Sequence, residues 1–293
     1  MVKLSLGCAQ FGMTYGFTNS KGKVLDKEVE KIIDYAILND IKSFDTAQSY
    51  GDSEEVLGNY ICKYSGLKVT TKFECKSKNC FSDKDINKWE NNFQNSLNKL
   101  RLNNIDSFLV HNVEDLKKDG KEILENWLNS LFKRKLINRI GISIYSSSDL
   151  NSISLDNIKL IQMPISLYDQ RLIKNNTCSD LQKKNIAIHA RSIFFQGLTL
   201  VGADKWPKLI SKDFKSHHMN ILRSMKSESI LETSLSFIDS CKFIEKALIG
   251  VTCLEELKEI IEIKNNLQKI KKDFSNFSWN YNNDLDPRFW NQN

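Results

Sequence analysis

The chain has 293 residues, 41% of them hydrophobic and 27% charged, which is enough for one large α/β domain or two small ones with a sizeable core and excludes a disordered or low-complexity protein. A formal net charge of +6 is modest for this length, and the basic residues are scattered or in short clusters such as Lys117-Lys118 and Lys271-Lys272. That balance suits anionic small molecules at least as well as nucleic acid, and without a basic face interleaved with aromatics the nucleic-acid reading is much the weaker, so no nucleic-acid partner is expected.

Short apolar runs then alternate with amphipathic helical patterns. Residues 4–9 form the first run and lead into a glycine-containing loop over 10–24. Asp26 is placed to cap a helix whose apolar positions Val29, Ile32, Ile33, Ala36 and Ile37 keep helical spacing. The second run ends at Ser43-Phe44-Asp45; a short loop carries Tyr50, and a helix starts near Ser53 with Glu54 and Glu55 in its first turn, where negative charge suits the helix dipole. The third run, 67–72, ends on Lys72 and precedes a helix bearing Trp89, Phe93, Leu97 and Leu100. The fourth, 105–111, ends on His111 and precedes a helix with Ile123, Leu124, Trp127, Leu128 and Leu131.

The fifth run is 139–143, with Ser146-Ser147-Ser148 suited to capping the helix after it. Then come a sixth run over 158–162 with a helix over 172–184, and a seventh over 186–191. After a long loop a helix carries Ile230, Leu231, Ser234, Leu235 and Ile238. The eighth run, 247–251, feeds a helix with Leu254, Leu257, Ile260 and Ile261. Strands alternating with helices imply parallel pairing through right-handed crossovers. Eight units in one chain predict an α/β fold of the (β/α)8 TIM-barrel type, with its site at the C-terminal ends of the strands. A doubly wound sheet is the alternative, but the G-x-G-x-x-G turn of its dinucleotide site is absent. No break in composition marks a second domain, so residues 1–293 are expected to form one, with a tail from about residue 267 packed across one face.

Seven cysteines, with no C-x-x-C pair and no zinc-type His spacing, point to reduced thiols and no metal site. The N-terminus runs into a strand pattern without a signal segment, and the apolar region over 186–203 is broken by His189, Arg191 and Gln196. A cytoplasmic protein that does not enter a membrane is expected.

On a barrel, Asp45, Lys72 and His111 end neighbouring strands, and Tyr50 lies in the loop beside them. A tyrosine is a poor proton donor near neutrality unless a cation lowers its pKa; Lys72, held by a salt bridge to Asp45, is expected to do so. His111 is placed to hydrogen-bond a substrate oxygen.

The chain resembles the aldo-keto reductase superfamily from Leu4-Ser5-Leu6-Gly7 to about Glu259, with Phe44-Asp45-Thr46-Ala47, Tyr50-Gly51 and Glu54-x-x-Leu57-Gly58 as the specific signature. The resemblance implies an NAD(P)H-dependent carbonyl reductase without metal, acting on a small aldehyde or ketone, with Asp45, Tyr50, Lys72 and His111 as its catalytic group. It also implies that Ser143 and Gln162 hold the nicotinamide amide, that Ser192, Gln196, Gly197 and Leu198 wrap the pyrophosphate, and that Thr252 lies near the adenosine phosphate.

Three positions depart from the family pattern. Ile144 stands where many members have an Asn on the amide, and Arg191 where many place an aromatic ring against the nicotinamide. Cys253 and Leu254 stand where NADPH-preferring members often have a cation for the 2'-phosphate, which Lys258 is near enough in sequence to replace. NADPH and NADH therefore both remain open as cofactor. Residues 191–198 and the terminal Asp286-Pro287-Arg288-Phe289-Trp290 resemble a bacterial subgroup associated with sugar-nucleotide or surface-polysaccharide biosynthesis, so a keto-sugar is an expected substrate. Phe11, Met13 and Tyr15 of the first loop are expected to line its pocket with the tail. The alternative is a nucleotide-binding barrel with little activity, resembling potassium-channel auxiliary subunits. The oligomeric state is left open.

Overall fold

Strands rich in Val, Ile and Leu that are buried along nearly their whole length need cover on both faces, and here a closed barrel provides it. The structure, a computed structural model, describes residues 1–75, 79–225, 229–268 and 272–290. Strands β1 (Lys3–Gly7), β2 (Ser43–Asp45), β3 (Lys68–Phe73) and β4 (Ile105–Val110) are followed by β5 (Ile137–Ser143), β6 (Ile158–Pro164), β7 (Ala187–Arg191) and β8 (Ile244–Gly250). They pair in parallel in chain order and close with β8 beside β1. This is the expected (β/α)8 barrel.

The register decides what meets at the mouth. Gly7 pairs with both Asp45 and Gly250, Thr70 with Asp45, and Ser143 with Gln162. Short β2 thus brings Asp45 level with the C-terminal ends of its neighbours. At the opposite end Arg139 ties Asp106, Ser107 and Glu245 together, and Lys246 and Ser5 both donate to the Ser43 hydroxyl. Polar ties at that end of a barrel serve stability rather than chemistry.

Several local expectations change. Asp26 is the first residue of the helix Asp26–Leu38, and Leu25 is its N-cap. The single helix over 172–184 is two, Arg171–Lys174 and Thr177–Lys183, separated where Asn176 takes a left-handed φ of 63°. Ser146 does form a capping box with Asp149, but on a single 3-10 turn, Ser147–Leu150. The long loop after β7 contains the helix Lys212–Ser224, which buries Phe214, His218 and Ile221. Those three keep helical spacing, but they stand among mostly polar and charged neighbours, too sparse a signal to read.

The C-terminal segment crosses the mouth side. Trp279 stacks on Phe214 with centroids 4.9 Å apart, and Trp290 meets Phe195 at 4.8 Å and Phe17 at 5.2 Å. Of the Lys271-Lys272 cluster, Lys271 lies outside the described residues, while Lys272 sits over the Phe274 and Phe277 rings. Among the described residues no helix is long and apolar enough to cross a membrane, and no cluster of His, Cys, Asp and Glu is placed to hold a metal.

Candidate active site

Asp45 and Lys72 end up facing each other because β2 and β3 are neighbours in register. Lys72 Nζ donates to Asp45 Oδ1 at 2.5 Å and to the Thr46 carbonyl at 2.9 Å, and Gln162 Nε2 donates to Asp45 Oδ2 at 2.7 Å. The carboxylate thus has a donor on each oxygen, which is what lets a buried ion pair persist.

Tyr50 is placed by its loop. Gly51 has a φ of 58°, and a Cβ there would stand 2.3 Å from the Gly12 carbonyl; a Cβ on Gly12 would collide with the Tyr50 carbonyl. Two facing glycines therefore let the tyrosine loop seat against the turn Ala9–Gly12. Ser53 fastens the far side of the loop, with its hydroxyl donating to the Cys8 carbonyl at 2.6 Å and bonding Thr46 Oγ1 at 2.8 Å. So held, the Tyr50 ring has Lys72 Nζ 4.9 Å from its centroid and the His111 ring edge-on at 5.7 Å.

The expected lowering of the Tyr50 pKa by Lys72 is not what results. Burial, and after it the charge of Asp45, push the phenol above its ordinary value, with Arg191 pulling the other way. Asp45 neutralises Lys72 at close range, so the phenol sees a pair rather than a free cation. Tyr50 is accordingly a fully protonated phenol across the neutral range.

His111 follows β4 directly, its amide bonded to the Phe73 carbonyl. Its Nδ1 lies 2.9 Å from Glu74 Oε1 and 3.1 Å from Ser49 Oγ. An ionised carboxylate only accepts, so Nδ1 carries the proton toward Glu74 and Nε2 is the atom left for a ligand.

Two cavities open at the mouth. One, of about 360 Å³, is lined among others by Asp45, Tyr50, Gln162, Arg191, Ser192, Gln196, Gly197 and Thr252. The other, of about 450 Å³, has His111, Ser143, Tyr145 and Arg288 in its wall. Tyr50 and His111 are in ring contact across the boundary. Arg191, Tyr145 and Arg288 span it too, with the guanidinium carbons 4.0 and 4.1 Å from the Tyr145 centroid. The Tyr145 ring thus has two guanidinium groups within cation–π distance.

Most of the residues that the sequence singles out are brought together; some are not. Ser143 lies on the second cavity, and Leu198 is fully buried, away from both walls, with its carbonyl accepting from Trp206 Nε1 at 2.9 Å. Ile144 is buried and its carbonyl accepts from Arg191 at 2.9 Å. Tyr15 lines the first cavity, while Phe11 belongs to the core and Met13 to neither wall. Lys258 stands over the Tyr35 ring, outside the first cavity.

Gln10, Lys21 and Glu256 line the first cavity without having been singled out. For Glu256 a signal existed, an acid three residues past the N-cap Cys253 of the helix Leu254–Asn266. Lys21 sits in an irregular loop, where no period points anywhere.

The loop after β7 is unusual in its backbone. Ser192, Phe195 and Gln196 have φ of 56°, 51° and 53°, and Gly197 one of 87°. Non-glycine residues rarely adopt this region, and they do so here to curl the loop over the cavity. A Cβ on Gly197 would meet Thr18 Oγ1 at 2.0 Å, so the curled loop closes tightly on the loop after β1.

Comparison with known proteins agrees with this geometry. The profile of the Aldo/keto reductase family matches residues 3–278. Among solved structures, one from Pseudomonas aeruginosa described as an aldo-keto reductase superposes with a TM-score of 0.65 at 18% identity, covering 89% of this chain and 88% of that one. An aldo-keto reductase from Bacillus halodurans in its holo form gives a TM-score of 0.67 at 17% identity, covering 89% and 86%. At such identities the likeness is one of fold. No curated protein matches the chain significantly.

Proposed function

The chain belongs to the aldo/keto reductase family and is an NAD(P)H-dependent oxidoreductase, and from that premise we propose that it reduces an aldehyde or ketone with Tyr50 as the proton donor. The observation that carries this is the place of Tyr50, on the boundary between two cavities, over Lys72 and against His111.

The first cavity suits a dinucleotide by its donor set. Gln162 has Oε1 left to accept from a carboxamide after its Nε2 is used on Asp45. The curled loop brings Ser192, Gln196 and Gly197 to the wall for a diphosphate, and Thr252 stands with Lys21 at another part of the wall. A cofactor held there would supply the hydride for the carbonyl carbon.

This chain's residues handle the proton and the carbonyl. Tyr50 gives its phenolic proton to the carbonyl oxygen as the hydride arrives, so the carbonyl leaves as an alcohol and Tyr50 remains as a phenolate. Its high resting pKa keeps the proton in place until then. Lys72, 4.9 Å over the ring, is held there by Asp45 as a neutralised pair, and the positive charge that favours the phenolate is that of Arg191. His111 Nε2 orients the carbonyl oxygen. A barrel that only held nucleotide would gain nothing from a buried ion pair under a tyrosine, since such a pair is costly to desolvate.

The second cavity favours a hydroxyl-rich substrate such as a keto-sugar. Its wall offers Asn112, Ser143, Tyr145 and Arg288, a polar lining with both donors and acceptors. The bacterial subgroup that the 191–198 segment resembles fits the same chemistry. A cytoplasmic location belongs to this reading, supported by seven free cysteines.

Tyr50→Phe tests the mechanism. Turnover should fall by about 10² or more while cofactor affinity stays near that of the unaltered protein. An unimpaired variant removes Tyr50 from the proton transfer.

A further inference from the structure

We infer that this enzyme prefers NADH to NADPH, and that Glu256 is the residue that discriminates. The inference rests on the reductase reading above and concerns the cavity wall formed by Thr252, Glu256 and Lys21.

Selection between the two cofactors turns on one group, a ribose hydroxyl in NADH and a dianionic phosphate in NADPH. A helix N-terminus is a ready receptor for phosphate when its first amides are free. At the helix Leu254–Asn266 the first of them is taken, and so is the amide of Thr252 just before the N-cap Cys253. Thr252 N donates to Glu256 Oε2 at 2.6 Å, Thr252 Oγ1 to Glu256 Oε1 at 2.8 Å, and Leu254 N to Glu28 Oε1 at 2.8 Å. Two carboxylates from the chain itself thus already stand at this turn, and Glu255 adds a third at the start of the helix.

The available cations do not reverse that balance. Lys258 is turned to Tyr35, away from the cavity. Lys21 is exposed, with Nζ 3.5 Å from Cys253 Sγ, and its charge is felt by both Glu255 and Glu256. Glu28 is answered by Lys31, 3.2 Å from its second oxygen, so one solvated ammonium faces two carboxylates, Glu255 and Glu256. A phosphate entering this wall meets net repulsion, whereas a ribose diol meets acceptors; an acid on the diol is the device by which dinucleotide folds of another class select NADH.

The test is a calorimetric titration of the purified protein with NADH and with NADPH, repeated on Glu256→Gln and Lys21→Ala. Glutamine keeps an acceptor for the Thr252 amide while losing the charge. We expect the unaltered protein to bind NADH at least about tenfold more tightly. Glu256→Gln should narrow that ratio by strengthening NADPH binding, and Lys21→Ala should leave the ratio in favour of NADH. Equal or tighter NADPH binding by the unaltered protein overturns the inference, whether or not either variant folds. So does an unchanged ratio in a folded Glu256→Gln variant, or a Lys21→Ala loss confined to NADPH, which assigns Lys21 to the phosphate. Failure to bind either cofactor defeats the reductase reading itself.

Discussion

Lys72 Nζ lies 2.5 Å from Asp45 Oδ1, and with side-chain exposures of 1% and 5% the two charges are sealed inside the barrel mouth. Neither can find water if the other is removed. Asp45→Asn should therefore cost about 3–5 kcal/mol of stability by stranding the ammonium. The double variant Asp45→Asn with Lys72→Met should lose less than the sum of the two single losses. Urea unfolding of the four proteins measures the difference, and simple additivity would mean the charges are not coupled.

Gly51 is the hinge on which Tyr50 depends. With a φ of 58°, and with any Cβ at this position only 2.3 Å from the Gly12 carbonyl, it leaves no room for alanine unless the loop moves. Gly51→Ala should lose more than about 1 kcal/mol of stability and lower turnover together, because Tyr50 shifts relative to Lys72 and His111. Full turnover in the variant would show that the tyrosine is positioned by something else.

Arg288 reaches from the C-terminal segment onto Tyr145, 4.1 Å from the ring centroid, while its guanidinium is held by Asp286. Arg288→Ala should raise the KM for the carbonyl substrate about two- to fivefold, as expected from losing an exposed cation–π contact of about 0.5–1 kcal/mol. Cofactor affinity should not change, since Arg288 lines only the second cavity. A shift in cofactor affinity instead would mean the two cavities are not separate sites.

The Tyr50 phenol is raised by burial first and by Asp45 second. A raised pKa means the proton is still bound where ordinary tyrosines lose theirs, near pH 10. Ultraviolet titration of tyrosinate in the unaltered protein and in Tyr50→Phe should therefore coincide up to the pH where the exposed tyrosines ionise and diverge only above it. Divergence below that point would indicate a phenol activated by Lys72 in the resting enzyme.

The order of residues alone is enough to specify the barrel and to name the groups at its mouth. Apolar runs and helical spacings repeat eight times, and each parallel strand delivers its last residues to the same end, so Asp45, Lys72 and His111 were readable as neighbours once the order of strands was. Folding in three dimensions settles the rest, because the partners concerned are far off in the chain. Glu28 caps a helix 226 positions away, Arg288 covers Tyr145, and Asp45 cancels the charge that Lys72 was expected to lend Tyr50. Leu198 turns inward on a loop with left-handed residues, where no period says which side faces the cavity. Periodicity records the environment of one strand or one helix turn; closure of the barrel sets distances between elements, and charge balance, burial and cofactor selectivity depend on those distances.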